Sequence, residues 1–206
     1  MSTTTRRRAL SAAGAVLALA LAGCSGDHDA TAGSPMHQGS MHPTSGAATT
    51  ADPSADHDQA DVMFSMMMVP HHEQALEMAE LVPSRSDDPA LRDLAQRIEQ
   101  EQQPEIDRMR GWLDSWGAGS ASGMGSMGHS MTGMMSESDM AELASLKGAA
   151  FDRRWLTMMV EHHEGAIEMA QDVLRSGRHT GTRELAGAVI ETQQREIDEM
   201  KTMLAS

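Results

Sequence analysis

The sequence predicts an all-α protein, a four-helix bundle made from two duplicated helical hairpins. Three observations carry that expectation. Aromatic residues are 2% of the 206 and Tyr is absent, whereas the strands of a sandwich or barrel draw on aromatic and β-branched side chains. The apolar supply is Leu, Ile, Val, Ala and an unusual 20 Met. Sliding the chain on itself by 91 residues aligns Asp61 to Ser115 with Asp152 to Ser206 without a gap, with 23 of 55 positions identical. Two copies of so long a unit read as a duplicated hairpin and not as a solenoid.

Residues 1–24 read as a lipoprotein signal. Arg6, Arg7 and Arg8 precede an apolar stretch from Ala9 to Ala22 that ends in Leu21-Ala22-Gly23-Cys24, with small residues suited to a peptidase and a thiol at Cys24 to take the lipid. The expected location is therefore extracytoplasmic, anchored to the bacterial cell membrane. The formal charge is −14; removing the signal takes three of 16 basic residues and none of 30 acidic ones, leaving −17. Such a balance disfavours nucleic acid and attracts cations. Cys24 is the sole cysteine, which excludes a disulfide framework and a thiolate metal site.

Residues 25–58 form a Met- and His-containing tail rich in Gly, Ser, Thr and Ala, without apolar periodicity. The first hairpin spans 59–116. Its first helix should run from Gln59 to Val82 and stop at Pro83 and Ser84; its second should open at the Asp88 cap with Pro89 in the first turn. Pro70 and Pro104 fall inside these helices and should kink them or free a carbonyl. Residues 117–137 are a Gly-, Ser-, Met- and His-rich linker, and 138–206 the second hairpin. There a short helix from about Ser138 to Leu146 leads in, the next helix ends near Gly177, and Thr180 or Thr182 opens the last. A narrow apolar stripe on each hairpin is buried when the two pack together.

Helical spacing puts Phe64, Met67, His71, Ala75 and Met78 on one face, with Met68, His72 and Ala79 on its flank and Glu73, Glu77 and Glu80 opposite. His71 thus points inward between Met67 and Met78, and His162 does so between Met158 and Met169. Gln102 intrudes on the partner stripe of Ile98, Ile106, Met109 and Leu113. The expectation is that Gln102 and Gln193 hydrogen-bond the inward imidazoles or fix their tautomer.

The chemistry these residues suggest is soft. A thioether is a poor ligand for hard cations and a good one for Cu(I), and imidazole serves copper in both oxidation states, with silver as mimic. On the helices alone, core packing explains inward Met and His about as well. It does not explain Met124, Met127, His129, Met131, Met134 and Met135 in the linker, or Met36, His37, Met41 and His42 in the tail. Flexible arrays of this kind suit capture or hand-over of Cu(I). Asp27-His28-Asp29 and Asp56-His57-Asp58 could add weaker Cu(II) ligands.

The patterns Met-Met-x-x-His-His-Glu-x-Ala-(Leu/Ile)-Glu-Met-Ala and Gln-Gln-x-Glu-Ile-Asp-x-Met, each present twice and in order, resemble the bacterial domain of unknown function 305. The resemblance covers about residues 58–206. It implies a ferritin-like bundle, an extracytoplasmic place and, for some members, copper binding linked to copper tolerance. Carried over, the implied ligands are His71, His72, Met67, Met68 and Met78, with His162, His163, Met158, Met159 and Met169 in the second copy. Met109 and Met200 join the linker and tail residues as auxiliary candidates.

Other chemistries lack their parts. The Glu-x-x-His pairs of di-iron bundles are absent, position 76 is Leu where a zincin needs His, and no phosphate-binding or nucleophile-elbow pattern occurs. No nucleotide or organic cofactor is expected. The reading is a lipid-anchored protein that sequesters or transfers Cu(I), with a transfer partner and oligomerisation both compatible, and with no bond-making chemistry. The alternatives are a copper-dependent redox enzyme using the same histidines, or a structural helical module without metal.

Overall fold

The structure, a computed structural model, describes residues 56–118 and 132–206, which lie within the unit Thr49–Ser206. Those residues form five helices: α1 (Gln59–Arg85), α2 (Pro89–Ser115), α3 (Glu137–Ser145), α4 (Gly148–Ser176) and α5 (Thr180–Ala205). Among the described residues no helix is long and apolar enough to cross a membrane.

Local chemistry sets the ends. The Asp58 carboxylate accepts the amides of Ala60 and Asp61, and Asp61 reaches back to the Asp58 amide at 2.9 Å, a reciprocal cap. Asp61 also accepts the amides of Arg178 and His179, each at 3.0 Å, tying the start of α1 to the turn after α4. α1 continues to Arg85, beyond the predicted stop at Val82. Pro83 lies in its last turn, where the missing N–H costs a single ladder bond. Both long helices of the first hairpin run on through Pro70 and Pro104.

α2 opens at Asp88 as predicted, whose carboxylate accepts the Ala90 amide at 2.8 Å. α5 is opened by His179, and not by Thr180 or Thr182: its Nδ1 accepts the Thr182 amide at 3.1 Å. His179 is the 91-residue counterpart of Asp88, so the duplication keeps the capping position while changing the acceptor. α3 has its own reciprocal cap between Ser136 and Asp139, and Arg154 on α4 pairs with Asp139 and Glu142, both at 2.9 Å.

Within each hairpin the long helices pack along one another, and the hairpins meet mainly across α1 and α4. The start of α1 lies at the end of α4 through Asp61, and Trp155 near the start of α4 donates its indole N–H to the Met78 carbonyl at 2.9 Å. The two central helices are therefore antiparallel. A pseudo-twofold axis passes between His71 and His162, which are 91 residues apart and in ring contact.

That axis exchanges two apolar clusters. One contains Met78, Val82, Leu94, Ala95, Ile98, Trp155, Met159 and Met200; the other contains their counterparts Met169, Val173, Leu185, Ala186, Val189, Phe64, Met68 and Met109. Each buried side chain of this size contributes roughly 1.5–3 kcal/mol. The architecture is the ferritin-like four-helix bundle expected, with α3 added along α4.

Candidate metal centre

Between the two apolar clusters lies a polar layer. The rings of His71 on α1 and His162 on α4 sit 3.7 Å apart, centroid to centroid, tilted by 37°, and both residues are wholly buried. None of their four ring nitrogens has a hydrogen-bond partner among the described residues. Each buried polar atom left unpaired costs about 1–3 kcal/mol, so apolar side chains of similar size would fill this space at lower cost.

His72 and His163 adjoin them and are also fully buried. In each, Nε2 lies 2.8 Å from a carboxylate oxygen on the other long helix of the same hairpin, Glu105 for His72 and Glu196 for His163. A carboxylate accepts, so Nε2 carries the hydrogen, and in the neutral tautomer that this selects, Nδ1 is the nitrogen with the free lone pair. Both Nδ1 atoms are buried and unpartnered among the described residues. A carboxylate that orients an imidazole in this way is the usual support of a metal-ligating histidine.

Burial, followed by the nearby His72 and His163, pushes the His71 imidazole down to about 3. Burial again, then His71, His163 and His72, holds His162 well below its ordinary value. The Thr132 carbonyl opposes the shift of His71 slightly, without reaching hydrogen-bond geometry. Both rings are therefore neutral at physiological pH, the protonation state a metal ligand needs.

Thioethers bracket the layer. Met68, Met109 and Met169 lie in one flanking cluster, Met78, Met158, Met159 and Met200 in the other, and Met67 is partly buried against the first. Helical spacing put Met68 and His72 on a flank, yet both are fully buried. α1 packs against α2 and α4 together, which covers a wider arc than one stripe. Among the described residues, no three His, Cys, Asp or Glu side chains form a metal-holding group by themselves. An ion held by these histidines would draw on sulfur as well. With about 2 Å between metal and nitrogen, two imidazoles gripping one ion end-on would stand roughly 6 Å apart by centroid, so binding between them requires the rings to swing apart.

The hydrogen bonds expected from Gln102 and Gln193 to the imidazoles are not formed. Both residues are buried, but neither side-chain atom of Gln102 nor the Gln193 oxygen has a partner among the described residues. Glu105 and Glu196, three residues farther along the same helices, take the supporting position instead. The signal for them was present: a carboxylate recurs 33 residues after the second histidine in both copies. Asp56-His57-Asp58 sits apart from the layer, with Asp58 capping α1 and His57 stacked on Trp116 at 4.5 Å.

The last residues of the linker, from Thr132 to Met135, run beside the histidine-bearing helices. The Gln74 side chain donates to the Met135 carbonyl at 2.9 Å and accepts the Met135 amide at 2.7 Å. Its counterpart is Gly165, where a Cβ would stand 2.2 Å from the Thr132 carbonyl oxygen. A Cβ at Gly133, whose φ is 82°, would stand 2.9 Å from the carbonyl oxygens of Glu161 and His162. Met134 and Met135 are partly buried, and Met135 packs against the apolar cluster around Met78, so core packing does account for it, contrary to the expectation for the linker methionines. Cys24, Met36, His37, Met41, His42, Met124, Met127, His129 and Met131 lie outside the described residues.

Fold and layer together define a duplicated helical bundle with a buried histidine pair on its pseudo-twofold axis. The chain belongs to the family described as domain of unknown function DUF305, which it matches over residues 61–204. It is similar to a DUF305 protein of Streptomyces coelicolor described as a candidate secreted protein, at 37% identity and TM-score 0.64 over 71% of this chain and 92% of that one. It is also similar to a DUF305 fragment from Deinococcus radiodurans, at 30% identity and TM-score 0.65 over 72% and 97%. A third relative is CopM. Its Cu(I)-bound form is 29% identical with TM-score 0.60 over 69% and 94%, its Cu(II)-bound form 31% identical with TM-score 0.61 over 70% and 95%, and Ag-bound forms of it are also known. No curated protein matches the chain.

Proposed function

We propose that the protein binds copper as cargo, chiefly as Cu(I), at the His71/His162 layer, and sequesters it or passes it on outside the cytoplasm. The observation that carries this reading is the wholly buried histidine pair with four unpartnered ring nitrogens. Bound copper would supply the missing partners. His71 and His162 would provide nitrogen, His72 and His163 their carboxylate-oriented Nδ1 atoms, and the wholly buried methionines Met68, Met78, Met158 and Met159 sulfur, a set suited to a soft ion. The copper- and silver-bound forms of CopM, and the description of the Streptomyces relative as secreted, support the same reading. Lipid attachment at Cys24 would hold the protein at the membrane, and the Met/His tail and linker would collect or deliver the ion. The role proposed is binding and hand-over without turnover.

The test is the double variant His71→Leu/His162→Leu in the whole chain, titrated with Cu(I) against a chromogenic chelator. Affinity should fall at least about a hundredfold, equivalent to about 2.7 kcal/mol. The metal-free variant should unfold at the same temperature as the parent or higher, because unpaired buried nitrogens have been replaced by apolar atoms. Unchanged Cu(I) affinity, or loss of helix content in the metal-free variant, would assign the pair to the core.

A further inference from the structure

The pseudo-twofold axis predicts equal ends, and the ends are unequal. Around Met78 the bundle is closed: Phe151 and Trp155 are fully buried, and Arg154 anchors α3 over them. At the equivalent place around Met169, Phe151 is replaced by Ala60, Trp155 by Phe64 and Arg154 by Met63. A groove of about 430 Å³ opens there between α1 and α4, lined among others by Met63, Phe64, Met67 and Met169. Met63 is the one large apolar residue among those described that is markedly exposed, at 37%.

From this we propose that the groove is a second, thioether-only site for a soft monovalent ion, Cu(I) or Ag(I), formed by Met63, Met67 and Met169, and that it is the intake to the buried histidines. Three sulfur donors from two facing helices meet the preference of such ions, and the one carboxylate in the lining, Asp172, is exposed and paired with Arg175. Thioether needs no deprotonation, so the site works at any ordinary pH. Phe64, 4% exposed, floors the groove with apolar surface, which favours a cation held by sulfur over a hydrated one. Met67 is one helical turn before His71, so an ion leaving the groove inward meets the histidine layer next. At the other end the space between α1 and α4 is filled by Phe151 and Trp155. The groove of similar size there lies between α2, α4 and α5, lined by Asp88, Asp152 and Arg153 with Met203 as its single thioether. The choice of ion shares the reading above, but the groove does not need the histidines to bind.

The experiment is Ag(I) titration of the whole chain carrying 13C at the methionine methyl groups and 15N in the histidine rings, with methyl resonances assigned through single Met→Leu variants, for the parent and for His71→Ala/His162→Ala. The Met63, Met67 and Met169 signals should shift together and saturate in both proteins, and Zn(II) should move none of them. Met63→Leu, at an exposed position, should weaken the shifts of Met67 and Met169 by about tenfold in Ag(I) concentration and slow perturbation of the histidine signals. If the three methyl signals stay in place while the histidines respond, the groove proposal fails and the central site stands. If they shift in both proteins while the histidines never respond, the groove stands as a binding site, and its role as intake falls together with the central site.

Discussion

The two halves of this bundle carry one motif and put it to different use. In the half around Trp155, large aromatics fill the space between α1 and α4, and α3 closes it. In the half around Phe64, smaller residues at the same register leave a sulfur-lined groove. What the two halves share is the layer they meet at: His71 with His162, and the dyads His72–Glu105 and His163–Glu196, at the same 2.8 Å. Duplication preserved the polar centre and released the ends. Packing tolerates such drift, leaving one half filled and covered by α3 and the other with a groove, whereas oriented nitrogen and carboxylate groups do not.

The largest expected contrast lies in the aromatics. Trp155→Ala should destabilise the protein by about 3–5 kcal/mol, since the indole is fully buried and bonded to the Met78 carbonyl. Phe64→Ala, beside an open groove, should cost clearly less; equal losses in chemical denaturation would erase the distinction between the halves. Acid should act on the shared layer. The folded His71 titrates near 3 and the unfolded one near its ordinary value of 6.5, so below 6.5 the unfolded state binds the extra proton. Stability conferred by this group is thus complete above 6.5 and lost progressively as the pH falls toward 3. A denaturation midpoint in metal-free protein that does not fall over that window would contradict a neutral buried pair.

Smaller effects sharpen the comparison further. The side chain of Glu196 is 5% exposed and that of Glu105 20%, so Glu196→Gln should lower Cu(I) affinity by about tenfold or more and exceed Glu105→Gln, as read by the same chelator competition. At the bottom of the scale, Gly187→Ala meets nothing within 4 Å and should stabilise α5 by about 0.5–1 kcal/mol. Gly165→Ala should destabilise, because its Cβ would collide with the Thr132 carbonyl. Thermal melts of the two variants that shift in the same direction would mean the linker does not return over α4.

Much of the bundle was legible beforehand. The 91-residue repeat, the Asp88 cap and the inward face of His71 follow from periodicity and capping chemistry, which act within one or two turns. His179 as a cap was not legible, since histidine accepts at a helix start only in one tautomer, and the chosen Thr180 and Thr182 were the ordinary candidates. The dyad carboxylates were visible as repeated letters, yet a stripe argument ranks positions by hydrophobicity and so favoured Gln102 over Glu105.

Sequence alone therefore determined the number, order and repeated inward residues of the helices, because backbone hydrogen bonding and a 3.6-residue period are local. Only the tertiary structure decided that His71 meets His162, that Glu105 and Glu196 orient the neighbouring rings, and that one end of the bundle stays open. Those outcomes depend on how two hairpins cross and how much volume each end must fill, quantities that no single helix contains.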